Sequence, residues 1–239
     1  MGQLRPQSGY LAGLWRDTLF ADLCWKGRKP QAARSRGPSW SWSSLEGGVS
    51  YPKQLSRWKP ATSITLTEAH CISLGPKPTG QVESGFLRLS CSLFRGNLVL
   101  QLPDWTFFKS LKFPLRIPTQ EAFEHARAKG LGERDAKWGT CYIQIGEDSL
   151  EFDPDTRMFE DIQRRIFDEP LYGCPILTGE YDHEGYMLIL HCVDRDNQIY
   201  ERIGIHKVGM RFVVDERSHE LDQKILAGEL GKEREITLV

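Results

Sequence analysis

The chain has 239 residues, of which 40% are hydrophobic and 26% are charged, a composition typical of a soluble globular protein and not of a disordered one. Its 31 Lys and Arg residues balance 32 Asp and Glu residues for a net charge of -1, so no overall field attracts nucleic acid or an anionic membrane. The longest apolar run, Tyr186 to Leu190, is far too short to span a membrane.

The first predicted element is an amphipathic helix from about residue 9 to 27. Its apolar residues recur at steps of three and four, the spacing of one helix face: Leu11, Leu14, Trp15, Leu19 and Leu23. Gly27 and the basic residues around it suit a helix C-terminus. We expect this helix and the segment GPSWSWSS, Gly37 to Ser44, to form an N-terminal unit, residues 1–60, packed on a body of residues 61–239.

Strand patterns dominate the body. SITLTEAHCISLG, GFLRLSCSLF and NLVLQLP are short bursts of strand-forming residues between Pro38 and Pro118, and the RGN sequence between the last two predicts a turn. TCYIQIG predicts a further strand, GYMLILHCVDRDNQIYERIGIHKV a hairpin, and REITLV a closing strand. The charge-rich residues 215–235 are typical of a solvated face.

Two short helices are predicted inside this body, near residues 119–130 and 154–168. Thr119 suits the N-cap of the first, and Asp153 followed by Pro154 suits the start of the second. The predicted fold class is therefore mainly β with a few helices (α+β): a curled antiparallel sheet, barrel or sandwich with the N-terminal helix packed on it.

Trp40 and Trp42 stand two residues apart between serines. In an extended segment this spacing puts both indoles on one face. Burying each indole would contribute about 4–6 kcal/mol at most. Because Trp15 and Trp25 lie nearby in the sequence, we expect one buried aromatic cluster. The alternative is an exposed aromatic platform for a sugar or a peptide.

No motif predicts catalysis, a cofactor or a metal. His191 beside Cys192 is typical of a satisfied interior or edge position rather than a catalytic dyad. At Asp182 to Glu184, a polar turn is favoured over a metal site. The six widely spaced cysteines predict reduced, mostly buried thiols in a cytoplasmic protein. A hydrolase is the remaining catalytic alternative, and it requires Asp153 and Asp155 to converge in a cleft.

Two motifs near the start carry a family resemblance: YLAGLWRDTLFADLCW from Tyr10, and PSWSW from Pro38. Together with IYERIGI and the closing EITLV, they resemble the region downstream of the HET domain in fungal heterokaryon incompatibility proteins. The match is specific at Tyr10 to Arg16 and at Pro38 to Ser43, and looser at Tyr200 to Gly204. The residues that carry it are Tyr10, Ala12, Gly13, Leu14, Trp15, Arg16, Trp25, Pro38, Ser39, Trp40, Ser41, Trp42, Arg202 and Gly204.

The resemblance implies a non-catalytic module that acts in non-self recognition and programmed cell death. It implies a protein partner, either a HET domain in trans or a second copy, and no cofactor, nucleic acid, membrane or small-molecule ligand. A family member carries its HET domain before the YLAGLW motif, which here lies close to Met1. The resemblance therefore implies a C-terminal portion or a truncated relative that lacks the HET domain. A carbohydrate- or peptide-binding β-module that uses Trp40 and Trp42 is the alternative.

Overall fold

The computed structural model describes residues 9–27, 37–45, 47–52, 58–76, 80–101, 117–118, 140–155, 169–179, 184–209 and 216–239. Within these ranges the chain is mainly β, with one large sheet and two short α-helices. This confirms the predicted fold class. None of the helices in these ranges is both long enough and apolar enough to cross a membrane.

Along the described part of the chain, short and long strands follow one another and two α-helices lie between them. The strands are β1 Tyr10–Leu11, β2 Leu14–Trp15, β3 Lys26–Gly27, β4 Val49–Ser50, β5 Lys59–Pro60, β6 Ile64–Ser73, β7 Val82–Gln101, β8 Ile117–Pro118, β9 Thr140–Ile145, β10 Asp148–Pro154, β11 Leu171–Thr178, β12 Gly185–Asp194, β13 Ile199–Val208 and β14 Lys232–Leu238. The α-helices are α1 Leu19–Asp22 and α2 Glu216–Ala227, and 3-10 turns lie at Arg16–Thr18 and Trp42–Ser44.

Strands β5 to β14 form one sheet that closes on itself. The path runs from β7 through β14, β13, β12 and β11, and β11 returns to β7 where Gly173 pairs with Phe94. The pairings are antiparallel except for a short parallel contact between β13 and β14, where Ile199 pairs with Thr237. The curled antiparallel sheet predicted from the sequence is therefore observed, with one parallel pairing added.

The β12–β13 hairpin forms as predicted, and β12 lies between the two parts of the core. Leu188 and Leu190 point into one hydrophobic cluster, whereas Met187 and Ile189 point into the other. Side chains alternate between the faces of a strand, so a strand covered on both faces needs an unbroken apolar run. This explains the sequence YMLIL.

The turn predicted at RGN is wrong. Strand β7 is 20 residues long and runs through the RGN sequence without interruption. Gly96 explains the continuity. A Cβ at Gly96 would lie 2.4 Å from Cγ1 of Ile143 on β9, so only glycine allows the two strands to approach there. The same strand can then pair with β14 on one side of Gly96 and with β9 on the other.

The predicted N-terminal helix over residues 9–27 is wrong. The segment forms a β1–β2 hairpin, a 3-10 turn and the four-residue helix α1. Ala12 and Gly13 have φ angles of 46° and 100°, the left-handed conformation that a two-residue hairpin turn requires. This turn interrupts any helix, although the leucines of the predicted stripe are still buried against the body.

The predicted start of a helix at Asp153 and Pro154 is also wrong, because both residues end strand β10 and pair with Ile205 and Gly204. Residues 119–130 and 156–168 lie outside the described ranges. In the charge-rich segment 215–235, the structure has α2, which the sequence analysis missed. The helix buries Ile225 and Leu226 in the second hydrophobic cluster, so only part of this segment is the solvated face that was predicted.

We expect Leu188→Ala to lower the free energy of unfolding by about 2–5 kcal/mol, because it leaves a cavity in a packed core. Val193→Ala is the matched control on the same strand, where the side chain is 54% exposed, and it should change stability by less than about 0.5 kcal/mol. Urea unfolding followed by circular dichroism measures both. Equal losses would contradict the assignment of β12 to the core.

Candidate functional site

Arg202 on β13 forms a fully buried ion pair with Asp155, which follows the end of β10. Its Nε lies 2.7 Å from Oδ2 of Asp155, and its Nη2 lies 3.0 Å from Oδ1. The backbone N–H of Asp155 donates to the carbonyl of Ile203 at 2.9 Å. Because a planar guanidinium matches the two oxygens of a carboxylate, this is the strongest geometry such a pair can adopt.

The remaining donors of Arg202 hold the N-terminal segment. Nη1 donates to the carbonyl of Leu23 and Nη2 to the carbonyl of Trp25, both at 2.6 Å. The guanidinium carbon also lies 3.5 Å from the centroid of the Trp25 ring, a cation–π contact. One side chain therefore binds residues 23–25 to the β body.

Ser39 connects the second motif to the same place. The backbone N–H of Arg202 donates to Oγ of Ser39 at 2.9 Å. The N–H of Ser39 donates to the carbonyl of Val239 at 3.0 Å, and its hydroxyl donates to the same carbonyl. We call Arg202, Asp155, Trp25 and Ser39 the Arg202 cluster.

Trp40 and Trp42 have different environments. Trp40 is completely buried, as predicted, and its carbonyl accepts from Nε1 of Trp25 at 3.0 Å. Trp42 is 37% exposed, so the expectation that both indoles are buried is wrong for Trp42. The reason is local: Oγ of Ser41 accepts from the N–H of Ser43 at 3.0 Å and caps the 3-10 turn that begins at Trp42, which ends the alternation of an extended segment.

The Trp42 ring covers the β1–β2 turn. Its Nε1 donates to the carbonyl of Gly13 at 3.1 Å. A Cβ at Gly13 would lie 2.7 Å from the ring, and the positive φ of Gly13 also favours glycine. The hydroxyl of Ser41 donates to the carbonyl of Ala12. The two motifs are thus joined to each other at this turn as well as at the Arg202 cluster.

A cavity of about 330 Å³ opens beside Trp42. We call it the Trp42 cavity. Its walls come from the β1–β2 hairpin, the 3-10 turn and the residues at the start of β7, and among the described residues none that lines it carries a charge. Those that present side-chain rings or polar groups are Tyr10, Trp42, Ser43 and Gln81.

Most of the motif residues lie at the Arg202 cluster or around the β1–β2 turn. Leu14 is buried, and Tyr10 and Trp15 pack edge to face at 5.3 Å between ring centroids. The N–H of Arg16 donates to the carbonyl of Gly9 at 2.9 Å and closes the hairpin, while its side chain is exposed. Gly204 lies nearby on β13 and Pro38 is buried beside Ser39.

The sequence analysis did not predict the role of Asp155. It considered Asp155 only as one of two acids in a possible hydrolase cleft, yet the residue is 3% exposed and is the buried partner of Arg202. Burial raises the pKa of the Asp155 carboxyl, and the charge of Arg202 opposes that rise. The available signal was Arg202 itself, because a cation in a strand of buried apolar residues requires a carboxylate partner.

Asp153 and Asp155, the two acids required by the hydrolase alternative, do not converge on an open site. Asp153 is exposed and pairs with Nζ of Lys26 at 3.1 Å, whereas Asp155 is sealed beneath the N-terminal segment and engaged by Arg202. A substrate therefore cannot reach the Asp155 carboxylate in this arrangement. Within the described ranges, no three His, Cys, Asp or Glu side chains form a group that could hold a metal; Asp182 and His183 lie outside those ranges.

The cysteines are free thiols, and five of the six are buried, as expected from their wide spacing. Burial raises the pKa of the Cys71 thiol to about 11 and that of Cys141 to about 12. Both stay protonated at neutral pH and are therefore poor nucleophiles.

His191 fills an interior position, as predicted, between two carboxylates. Its Nδ1 lies 3.0 Å from Glu201 and its Nε2 lies 3.2 Å from Glu169. The hydrogen bond with Glu201 raises the pKa of His191, and Glu169 adds to the rise, although burial opposes it. Protonated imidazole can donate to both carboxylates at once.

Comparison of the chain with protein-family models, with curated proteins and with solved structures finds no match.

We expect Arg202→Met to lower the free energy of unfolding by about 3–5 kcal/mol, because it leaves the Asp155 carboxylate buried without a counter-charge. The control Arg88→Met removes an exposed pair with Glu68, whose side chains are 42% and 50% exposed, and should cost less than about 1 kcal/mol. Urea unfolding compares them. The double variant Arg202→Met/Asp155→Leu should be more stable than Arg202→Met alone, and a further loss would contradict this account.

Stability should also depend on the titration of His191. Because its pKa is raised in the folded protein, its contribution is complete below the ordinary histidine pKa of about 6.5 and is lost as the pH rises through the folded value. His191→Gln should therefore flatten the fall in melting temperature as the pH rises above about 6.5. The control Val193→Ala changes an exposed residue of the same strand that carries no titrating group, and it should keep the wild-type slope. An unchanged slope in His191→Gln would refute the prediction.

Proposed function

We propose that this chain is the non-catalytic C-terminal module of a heterokaryon-incompatibility-type protein, acting in the cytoplasm through protein contacts in non-self recognition and cell-death signalling. The observation that carries the proposal is the meeting of the motif residues. Trp25 and Ser39 lie in the two N-terminal motifs and Arg202 lies near the other end of the chain, yet Arg202 hydrogen-bonds to both. Residues from both ends of the resemblance therefore lie together.

The geometry suggests what these residues do. A buried ion pair with further hydrogen bonds fixes the N-terminal segment, residues 9–27, in one orientation on the β body. In the proposal, this fixed segment presents a surface to a HET domain, whether that domain belongs to the same polypeptide or is supplied in trans. Tyr10 and Trp15 are half-buried on that segment and Arg16 is exposed, so they are the contact residues we assign to it.

The regulatory part of the proposal is that the module restrains or positions a HET domain. A chain without such a domain would then act as a decoy or inhibitor of a complete relative, and a truncated remnant would do neither. The two possibilities differ in one measurable property, which is binding to a HET-domain protein.

Co-expression with a complete HET-domain relative tests this. We expect the chain to co-purify with the relative and to reduce the cell death that the relative causes. Arg16→Glu should weaken both effects by reversing a charge on the contact surface. Arg195→Glu, at the exposed β12–β13 turn, is the matched control and should leave them unchanged. If neither co-purification nor any change in cell death is seen, the chain is a remnant and the regulatory proposal fails.

The alternative function, a carbohydrate- or peptide-binding module, would have to use Trp42 without Trp40. A platform of Trp40 and Trp42 together does not fit, because Trp40 is fully buried. Trp42 alone lines a cavity, and that observation supports a narrower ligand site.

A further inference from the structure

We infer that the Trp42 cavity binds an uncharged sugar ring, one hexopyranose unit of a neutral glycan, stacked on the Trp42 indole. The cavity measures about 330 Å³, which is at the small end of ligand pockets. It therefore suits one ring with part of a second. This inference does not rest on the proposed incompatibility function, because the cavity is formed by this chain alone.

The stacking surface is fixed before any ligand arrives. The Trp42 ring lies against Gly13, and its Nε1 donates to the Gly13 carbonyl at 3.1 Å. With one side packed and 37% of the residue exposed, the indole offers a rigid apolar face. A rigid aromatic face reduces the entropy lost on binding. The axial C–H groups of a pyranose ring can pack on such a face.

The lining determines which class of ligand fits. Because none of the lining residues that the structure describes is charged, a phosphate or carboxylate would lose its hydration without gaining a counter-charge from them. The Gln81 amide offers both a donor and an acceptor. The Ser43 hydroxyl offers an acceptor, because it lies 2.7 Å from Oγ of Ser41 and donates its proton there. A neutral sugar carries hydroxyls that are also donors and acceptors around an apolar ring face, so it matches both properties of the cavity.

A proline-rich peptide fits less well. Such peptides dock in aromatic-lined grooves, where hydrogen bonds to their carbonyls fix their position. An indole has a single N–H donor, and that of Trp42 is already used by Gly13. Stacking of a sugar ring does not need this donor. The structure therefore favours the sugar over the peptide.

The test is a titration of the full chain with cellobiose, maltose and N,N′-diacetylchitobiose, followed by tryptophan fluorescence and by saturation-transfer NMR. We expect at least one of these neutral disaccharides to bind saturably in the millimolar range, and glucose 6-phosphate and decaproline not to bind. Gln81→Ala should weaken binding about two- to tenfold by removing a hydrogen bond. Trp42→Phe should weaken it further by reducing the stacking area.

Two controls exclude unfolding and effects outside the cavity as causes of lost binding. Gln81 is exposed, so Gln81→Ala should keep the wild-type melting temperature, and lost binding cannot then be attributed to unfolding. Glu83 lies two positions after Gln81, on β7, and is exposed but does not line the cavity. The Glu83→Ala variant should therefore bind the disaccharide as tightly as the wild type. The inference fails if no neutral disaccharide binds, if Gln81→Ala and Trp42→Phe bind as tightly as wild type, or if decaproline binds instead.

Discussion

The buried ion pair between Arg202 and Asp155 is the interaction on which the rest of this arrangement depends. Taking both ions out of water costs several kcal/mol each, and the pair is tolerated only when every remaining donor is satisfied. Here the Arg202 side chain is fully buried, and each guanidinium nitrogen has an acceptor, on Asp155, Leu23 or Trp25. The same bonds that make the pair tolerable hold β13, the end of β10 and the N-terminal segment together.

The aromatic residues near the start of the chain divide around this pair. Trp25 lies under the guanidinium and Trp40 fills the adjoining core, so these two rings are structural. Trp42 lies on the outer side and lines a cavity. A buried cluster that orients the N-terminal segment supports a role in protein contacts, whereas an exposed indole with uncharged polar neighbours supports a ligand site. Tyr10 belongs to both proposed surfaces. The substitutions at Arg16 and at Gln81 each change only one of them, so the two proposals can be tested separately.

Local patterns predicted much of the sheet and little of the site. The β12–β13 hairpin and β14 follow from runs of strand-forming residues, and their register buries both faces of β12. The prediction of an N-terminal helix was wrong because the leucines at steps of three and four are buried by a segment that begins with a hairpin. The turn of that hairpin, at Ala12 and Gly13, needs positive φ angles. Spacing alone does not distinguish these two ways of burying the same side chains.

Strand propensity and apolar content are local properties, and they were enough to predict the class of the fold. The same reasoning predicted burial for both Trp40 and Trp42 and was right only for Trp40. The pairing of Asp155 with Arg202, the partial exposure of Trp42 and the cavity beside it could not be predicted in this way. These are contacts between distant parts of the chain: Arg202 and the Leu23 carbonyl are 179 positions apart. No local pattern specifies which distant groups meet when the sheet closes.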